Sequence, residues 1–188
     1  SRGLGDVYKR QLQAHFRRGG RVLGICGGYQ MLGRTINDPA GIEGAAGQDD
    51  GLGFLDVTTT MESGKNLTTI EATHEASGLS FKGYEIHIGK TEGPGRDRPF
   101  ARVNGVPEGA VSSNGRVIGS YLHGMFSSDA FRAAFLSDFG VDSSTTRYDE
   151  TVEHVLDGLA DHMEQHLDIT GLLAIATSQR SLTPNSPS

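Results

Sequence analysis

The chain of 188 residues has very little cysteine and no concentration of basic charge. Its single cysteine, Cys26, cannot form an internal disulfide, and it excludes a zinc or iron–sulfur site built from several cysteines. The formal net charge is −6 without a basic run, which makes nucleic acids and anionic membranes poor candidate partners. No segment approaches the ~18 consecutive apolar residues of a membrane span, and no secretory-type pattern is found. We therefore expect a cytoplasmic protein that binds neither nucleic acid, membrane nor metal.

Glycine is the residue in excess. It occupies 27 of the 188 positions, about twice its usual share of roughly 7%. Apolar residues at 36% and charged residues at 21% are typical of a globular domain with a hydrophobic core. The glycines predict many tight turns and places where the backbone closely approaches another backbone or a ligand.

Three segments of the chain differ in pattern. Residues 1–11 have no clear periodicity and do not start with methionine, and we interpret them as a non-native leader. Residues 12–167 carry the patterned sequence and are predicted to form one domain. Residues 168–188 are expected to be a largely disordered tail, because the chain from Thr177 onward is rich in Ser, Pro and Asn.

Apolar runs alternate with helical patterns in the predicted domain. Strands are predicted at residues 21–25, 54–60, 81–88 and 117–122. The glycine-rich stretches 37–53 and 89–99 are predicted to be loops. A helix is predicted around residues 152–163, where apolar residues recur at i, i+3, i+4, i+7 and i+11. This alternation predicts an α/β fold with a mostly parallel sheet.

The turn around Cys26 is the most informative local feature. Cys26 lies between a predicted buried strand and the start of a helix, with Gly24 and Gly28 on either side. A nucleophile on such a sharp turn needs small neighbours. N–H groups at a helix start lower the pKa of a thiol and can stabilise the oxyanion of a tetrahedral intermediate. The alternative is a structural cysteine that is buried as a small apolar side chain.

A cysteine nucleophile needs a base, and two histidines are candidates. His123 follows the predicted strand 117–122, so His123 and Cys26 both lie at the carboxyl end of a strand. Ligand crevices of open α/β sheets form at that edge, where the two side chains can face each other. His87, in the predicted strand 81–88, is the second candidate. Either histidine could instead be structural and only satisfy a hydrogen bond.

Several motifs carry a resemblance to known enzymes. The stretch GICGGYQMLG at residues 24–33 resembles the nucleophile motif of class I glutamine amidotransferases. Further stretches follow in the order of the cobyric acid synthase family, namely GIEG at 41–44, GLGFL at 51–55, GYEIHIG at 83–89 and YLHGMF at 121–126. The resemblance covers about residues 20–167.

The resemblance implies a flavodoxin-like class I glutamine amidotransferase fold, with Cys26 and His123 at the catalytic positions. The candidate residues for the oxyanion site and for glutamine binding are Gly27, Gly28, Tyr29 and Gln30. The resemblance also implies that the complete enzyme uses ATP and glutamine-derived ammonia. The acceptors would be carboxylates of adenosylcobyrinic acid a,c-diamide, a corrinoid, in cobalamin biosynthesis.

The chain departs from the general pattern in two places. Many class I enzymes have a glutamate two residues after the catalytic histidine. The resembling family lacks this glutamate, and so does this chain, which has Met125 at that position. Glu85 is then the candidate acid that orients His123, or else a structural strand residue.

The chain also has no phosphate loop of the Gly-x-x-x-x-Gly-Lys-Ser/Thr kind. The resembling enzymes carry that loop on an N-terminal synthetase domain. We therefore expect a C-terminal fragment that is truncated at its N-terminus and has no cofactor of its own, while the missing synthetase domain binds ATP and Mg.

Other readings stay open at this stage. Cobyrinic acid a,c-diamide synthase and cell-wall amidating enzymes belong to the same branch, although the stretch at 83–89 argues against them. A cysteine peptidase or an acyl hydrolase also uses a Cys–His pair. A corrinoid-binding domain without catalysis would carry the two residues without using them.

Overall fold

The computed structural model describes residues 2–64, 66–141 and 147–179. Its α-helices are α1 (Arg2–Arg17), α2 (Gly27–Leu32), α3 (Asp129–Ser137), α4 (Tyr148–His166) and α5 (Ile169–Gln179). Its strands are β1 (Val22–Ile25), β2 (Thr35–Asp38), β3 (Gly47–Asp50), β4 (Thr58–Thr60), β5 (Asn66–His74), β6 (Ser80–His87), β7 (Lys90–Glu92), β8 (Ala101–Val103), β9 (Val106–Glu108), β10 (Ala110–Val111), β11 (Val117–Ser120) and β12 (Leu122–His123). Short 3-10 turns occupy Pro94–Asp97 and Met125–Ser127.

The described strands form three sheets, with the orders β1-β11-β10, β12-β6-β5-β8-β9 and β3-β2-β4-β7. The mixed α/β class is confirmed. The expected mostly parallel pairing needs a correction, because among the described strands only β1–β11 and β2–β4 are parallel pairs. Consecutive strands such as β5 and β6, or β8 and β9, are joined by short turns, and a short turn permits only antiparallel pairing.

Strand β1 lies next to β11, with Val22 opposite Val117 and Ile25 opposite Ser120. The apolar runs that predicted these two strands are therefore confirmed. Helix α2 follows β1 directly and packs its buried residues Tyr29 and Leu32 into a core cluster that includes Val117. This packing sets the angle at which the chain turns between β1 and α2.

A second core cluster lies under the sheet of β5 and β6. Phe81 of β6, Leu122 of β12 and Phe131 of α3 are almost completely buried there. Met125, which follows His123 by two residues, is 1% exposed and belongs to the same cluster. Its position in the core explains how a methionine can stand where many class I enzymes have a glutamate.

The stretches predicted to be loops contain additional strands. Strands β2 and β3 lie within or beside residues 37–53, and β7 lies within residues 89–99. All four residues of β3 are exposed, so they show no alternation of apolar and polar side chains. Backbone hydrogen bonds to β2 hold this strand in place, and such bonds leave no mark on side-chain pattern.

The chain divides into two units, Ser1–Ser143 and Ser144–Ser188. In the second unit, α4 confirms the helix predicted around residues 152–163. Helix α5 occupies the first part of the expected tail, where residues 169–175 are mainly apolar, and residues 180–188 lie outside the described residues. Helix α1 runs across the leader boundary expected at residue 11, and the non-native origin of that leader stays a prediction. No helix in the described ranges is long and apolar enough to cross a membrane.

Candidate active site

Cys26 occupies a strained turn between β1 and α2. Its φ of 56° and ψ of −119° lie in a region that non-glycine residues rarely adopt. Such strain costs about 1–3 kcal/mol and persists only where the surrounding structure enforces it. One restraint is visible directly, because the Cys26 N–H donates to the carbonyl oxygen of Ser120 at 2.9 Å. The strain and its restraint are typical of a nucleophile elbow.

Small residues make this turn possible. A Cβ atom at Gly24 would lie 2.5 Å from Leu32 Cδ1 and 2.7 Å from the backbone of Gly28, so a side chain there would push α2 away from β1. At Gly27 and Gly28, in contrast, an added Cβ would meet no atom within 4 Å. The first turn of α2 therefore presents open space beside the cysteine, as an approaching substrate requires.

The thiol of Cys26 faces the neighbouring sheet. Its Sγ donates to the carbonyl oxygen of Ile86 in β6 at 3.4 Å, and the residue is partly exposed. The first hydrogen bond of α2 runs from the Gln30 N–H to the Cys26 carbonyl at 3.2 Å. The N–H groups of Gly27 and Gly28 come before this donor in the chain. N–H groups at this position are available to an oxyanion that forms next to the sulfur.

His123 lies close to the elbow along the chain path. It is the third residue after Ser120, and three residues span at most about 10 Å. Its imidazole stacks on the Tyr84 ring with centroids 5.0 Å apart and planes 6° apart. The Nε2 atom is buried and has no hydrogen-bond partner within the described structure. A buried imidazole nitrogen without a partner is unusual and fits a group whose partner is a substrate.

Glu85 does not orient His123, which corrects the expectation for this residue. Its Oε1 lies 2.8 Å from Nε2 of His87 on the same strand. In the pairing of β6 with β12, Glu85 is opposite Leu122, while His123 is opposite Tyr84. Since neighbouring residues of a strand point to opposite faces, Glu85 and His123 lie on different sides of this sheet. The His87 contact lowers the pKa of Glu85, so its carboxylate is ionised.

His87 has both ring nitrogens occupied. Besides the contact with Glu85, its Nδ1 lies 2.9 Å from the carbonyl oxygen of Gly89. Its ring stacks on Tyr121, with centroids 3.8 Å apart. The second candidate base is therefore held in a structural network.

Tyr29 and Gln30 have different positions in this network. Tyr29 is only 1% exposed and packs edge-on against Tyr121 at 5.1 Å, and burial raises the pKa of its hydroxyl. The Gln30 amide donates to Ile88 C=O at 2.9 Å and to the Tyr121 hydroxyl at 3.3 Å. Gln30 also lines a cavity of about 460 Å³ beside α2, whereas Tyr29 is a core residue.

Glu108 is a buried charged residue that the sequence reading missed. It is 7% exposed, and its carboxylate accepts hydrogen bonds from Ser120 Oγ and from the Tyr121 N–H. Burial raises its pKa to about 7. The only signal in the sequence is an acidic residue between two short apolar segments, and this pattern does not distinguish a buried acid from one in a surface turn.

Comparison with known proteins places this geometry in a family. The model of the CobB/CobQ-like glutamine amidotransferase domain matches residues 6–131. The chain belongs to this family. The match includes the elbow, β6 and His123, so the glutamine amidotransferase assignment from the motifs is confirmed.

Curated relatives point to one member of the CobB/CobQ-like family. Cobyric acid synthases from Cereibacter sphaeroides and Bradyrhizobium diazoefficiens are 65% and 59% identical to this chain, each over 88% of its length. The enzyme of Brucella canis is 53% identical over 90% of the chain. The chain spans about a third of the length of these relatives. The solved structure of PurLQS from Thermotoga maritima is also similar, at 16% identity, a TM-score of 0.46 and coverage of 61% of this chain and 56% of that one.

Proposed function

We propose that this chain is the glutaminase part of a cobyric acid synthase, with Cys26 as nucleophile and His123 as base. The observation that carries the proposal is the strained Cys26 turn, whose N–H donates to Ser120, three residues before His123. The Nε2 atom of His123 is buried and has no hydrogen-bond partner among the described residues. Family membership and the relatives named cobyric acid synthase support the proposal.

The reaction follows from these groups. His123 takes the thiol proton, and the sulfur of Cys26 attacks the side-chain amide carbon of glutamine. The negative oxygen that results accepts hydrogen bonds from N–H groups at Gly27 and Gly28. His123 then returns the proton to the amide nitrogen, so that the C–N bond breaks and ammonia leaves. Water, deprotonated by His123, cleaves the thioester and releases glutamate.

The released ammonia would serve a second reaction in the whole protein. We propose that an ATP-dependent synthetase domain, with Mg, activates carboxylates of adenosylcobyrinic acid a,c-diamide and that ammonia converts them to amides. The aligned part of this chain covers only 34% of the relatives' length, which leaves room for such a domain in those proteins. A cytoplasmic location suits a reaction that depends on ATP and glutamine.

Two measurements test the proposal in the protein produced with its natural flanking sequence. Glutamate release should depend on Cys26, and a glutamine-like electrophile should label Cys26 and be blocked by glutamine. A cysteine peptidase would instead cleave peptides without a need for free glutamine. Absence of both glutamate release and labelling would favour a corrinoid-binding domain without catalysis. Release of ammonia to a different acceptor would favour another member of the same branch.

A further inference from the structure

Glu108 ends strand β9 and is enclosed by the first unit of the chain. Glu108 is 7% exposed, and both Ser120, which bonds to it, and Leu122 are 0% exposed. A buried carboxylate loses its hydration, and this loss is offset only when its oxygens accept hydrogen bonds. Both oxygens do so here, with Ser120 Oγ at 2.8 Å from Oε2 and Tyr121 N at 2.7 Å from Oε1.

The hydrogen bonds continue from Glu108 along the chain. Ser120 Oγ, which donates to the carboxylate, also accepts from the Leu122 N–H at 3.0 Å. Ser120 and Tyr121 thus bond directly to Glu108, and Leu122 is linked to it through Ser120 Oγ, at the corner where β11 ends and β12 begins. This corner lies between two sheets, because β11 pairs with β1 and β12 pairs with β6. A corner of this kind has no continuous strand ladder to fix its shape.

The same corner touches one proposed catalytic residue and leads directly into the other. The Ser120 carbonyl accepts the N–H of Cys26, and His123 follows Leu122 directly. A shift of the corner would therefore move the nucleophile and the base relative to each other. Misplacement by about 1 Å is sufficient to reduce a catalytic rate about 10²-fold.

Other charged or titratable groups surround the carboxylate. Burial is the main cause that raises the pKa of Glu108, and the hydrogen bonds from Tyr121 and Ser120 lower it. The charge of Glu85 raises this pKa further, and that of Arg96 lowers it. The guanidinium group of Arg96 donates through Nη1 to the Thr91 carbonyl and through Nη2 to the Pro107 carbonyl. Tyr29 and Tyr121 are the buried phenols nearby, and Glu85, Lys90, Arg96 and Glu108 line one cavity of about 390 Å³.

We infer that Glu108 is a positioning residue, whose carboxylate fixes the backbone of residues 120–122 and thereby sets His123 against Cys26. The inference rests on the proposed function. It assigns Glu108 a role through the backbone, without contact with substrate.

The test compares Glu108→Ala, Glu108→Gln and Ser120→Ala with the unmodified protein, produced with its natural flanking sequence. For Glu108→Ala we expect kcat for glutamate release to fall about 10²-fold with KM changed less than about threefold. Glu108→Gln keeps the shape and one acceptor oxygen, so kcat should stay within about tenfold of the unmodified value. Adding Ser120→Ala to Glu108→Ala should cause little further loss, because both changes interrupt one network. The matched control is Glu75→Gln, which removes a carboxylate from an exposed ion pair with Arg102 and should change neither constant.

A second readout does not depend on glutamine. The rate at which iodoacetamide alkylates Cys26 at neutral pH reports thiolate formed with the help of His123. Glu108→Ala should lower this rate as much as His123→Asn does. Unmodified protein that alkylates in this pattern yet releases no glutamate would contradict the proposed function alone. The inference would be overturned by a folded Glu108→Ala protein whose kcat and alkylation rate equal those of the unmodified protein. It would also be overturned if the losses of kcat caused by Glu108→Ala and Ser120→Ala added fully in the double variant. If Glu108→Ala does not fold, an unmodified kcat in Ser120→Ala would overturn it.

Discussion

The carboxylate of Glu85 lies 2.8 Å from Nε2 of His87, on the face of β6 opposite to Tyr84 and His123. The other nitrogen of His87 contacts the Gly89 carbonyl, so this imidazole has no free position for a substrate. His123 is in the reverse situation, with a buried Nε2 that lacks a partner in the described structure. The contrast favours His123 as the base and assigns the Glu85–His87 pair to holding the end of β6.

This contrast gives the first prediction. His123→Asn should reduce kcat for glutamate release about 10²–10⁴-fold, the usual contribution of general-base assistance. His87→Asn should reduce kcat far less and mainly lower the melting temperature, because it removes a stacked, hydrogen-bonded ring. Steady-state kinetics and thermal unfolding of the two variants check this ranking. The opposite ranking would assign the base to His87.

Replacement of the nucleophile should separate two activities. Cys26→Ser should abolish glutamine-dependent amidation in the complete protein, since a serine hydroxyl is not ionised near neutral pH. Amidation with added ammonium salt should continue, because the thiol acts only in releasing ammonia. Product formation with each nitrogen source is the measurement. Loss of both activities in a folded variant would show that Cys26 has a role beyond glutamine hydrolysis.

The close approach of α2 to β1 predicts the effect of Gly24→Ala. The added methyl would lie 2.5–2.7 Å from Leu32 and Gly28, and overpacking of this kind costs about 1–3 kcal/mol. We expect a lower free energy of unfolding in urea together with a reduced kcat, since the elbow must move. Gly27→Ala, whose methyl would meet nothing within 4 Å, is the control for stability. Equal stabilities would contradict the packing argument.

The structure separates the two candidates for glutamine binding. Tyr29→Phe should leave KM for glutamine unchanged, because its ring is a buried part of the core. Gln30→Ala should raise KM, because it releases the Ile88 carbonyl and the Tyr121 hydroxyl and alters the wall of the neighbouring cavity. Initial rates over a range of glutamine concentrations give both constants. A KM that does not move in Gln30→Ala would restrict Gln30 to a structural role.

Glu108 should make stability depend on pH in a defined direction. Burial raises its pKa from 4.5 to about 7, so between these values the folded protein keeps a proton that the unfolded chain has released. Its contribution is fully present below about pH 4.5 and is lost as the pH rises to about 7, by up to about 3 kcal/mol. Urea unfolding of the unmodified protein and of Glu108→Gln across this range gives the difference. A difference that is independent of pH would show that the pKa is not raised.

Local features of the sequence were sufficient to predict the elbow and the strands that support it. The apolar runs at β1 and β11 and the glycines around Cys26 express requirements that act over a few residues. The stripe on α4 is a similar case. These elements could be predicted because burial and sharp turns restrict the residue types that are possible at each position.

Features that depend on distant contacts could not be predicted in this way. Strand β3 has only exposed residues, and its backbone pairing with β2 leaves no side-chain pattern. The partner of Glu85 depends on which face of β6 it occupies, and the motif alone leaves His87 and His123 both possible. Glu108 meets Ser120 across 12 positions, so its burial becomes visible only when β9 and β11 have been placed.

The pairing of Ile25 with Ser120 joins segments that are far apart in the chain. Closing so long a loop carries an entropic penalty that grows with its length, and contacts of this range slow folding. The carbonyl that restrains Cys26 therefore reaches it only after the intervening residues have been synthesised and folded. Without this hydrogen bond, one of the restraints that hold Cys26 in its strained conformation is missing. The strained Cys26 turn that the proposed glutamine hydrolysis requires is therefore complete only in a chain in which β1 and β11 have already paired.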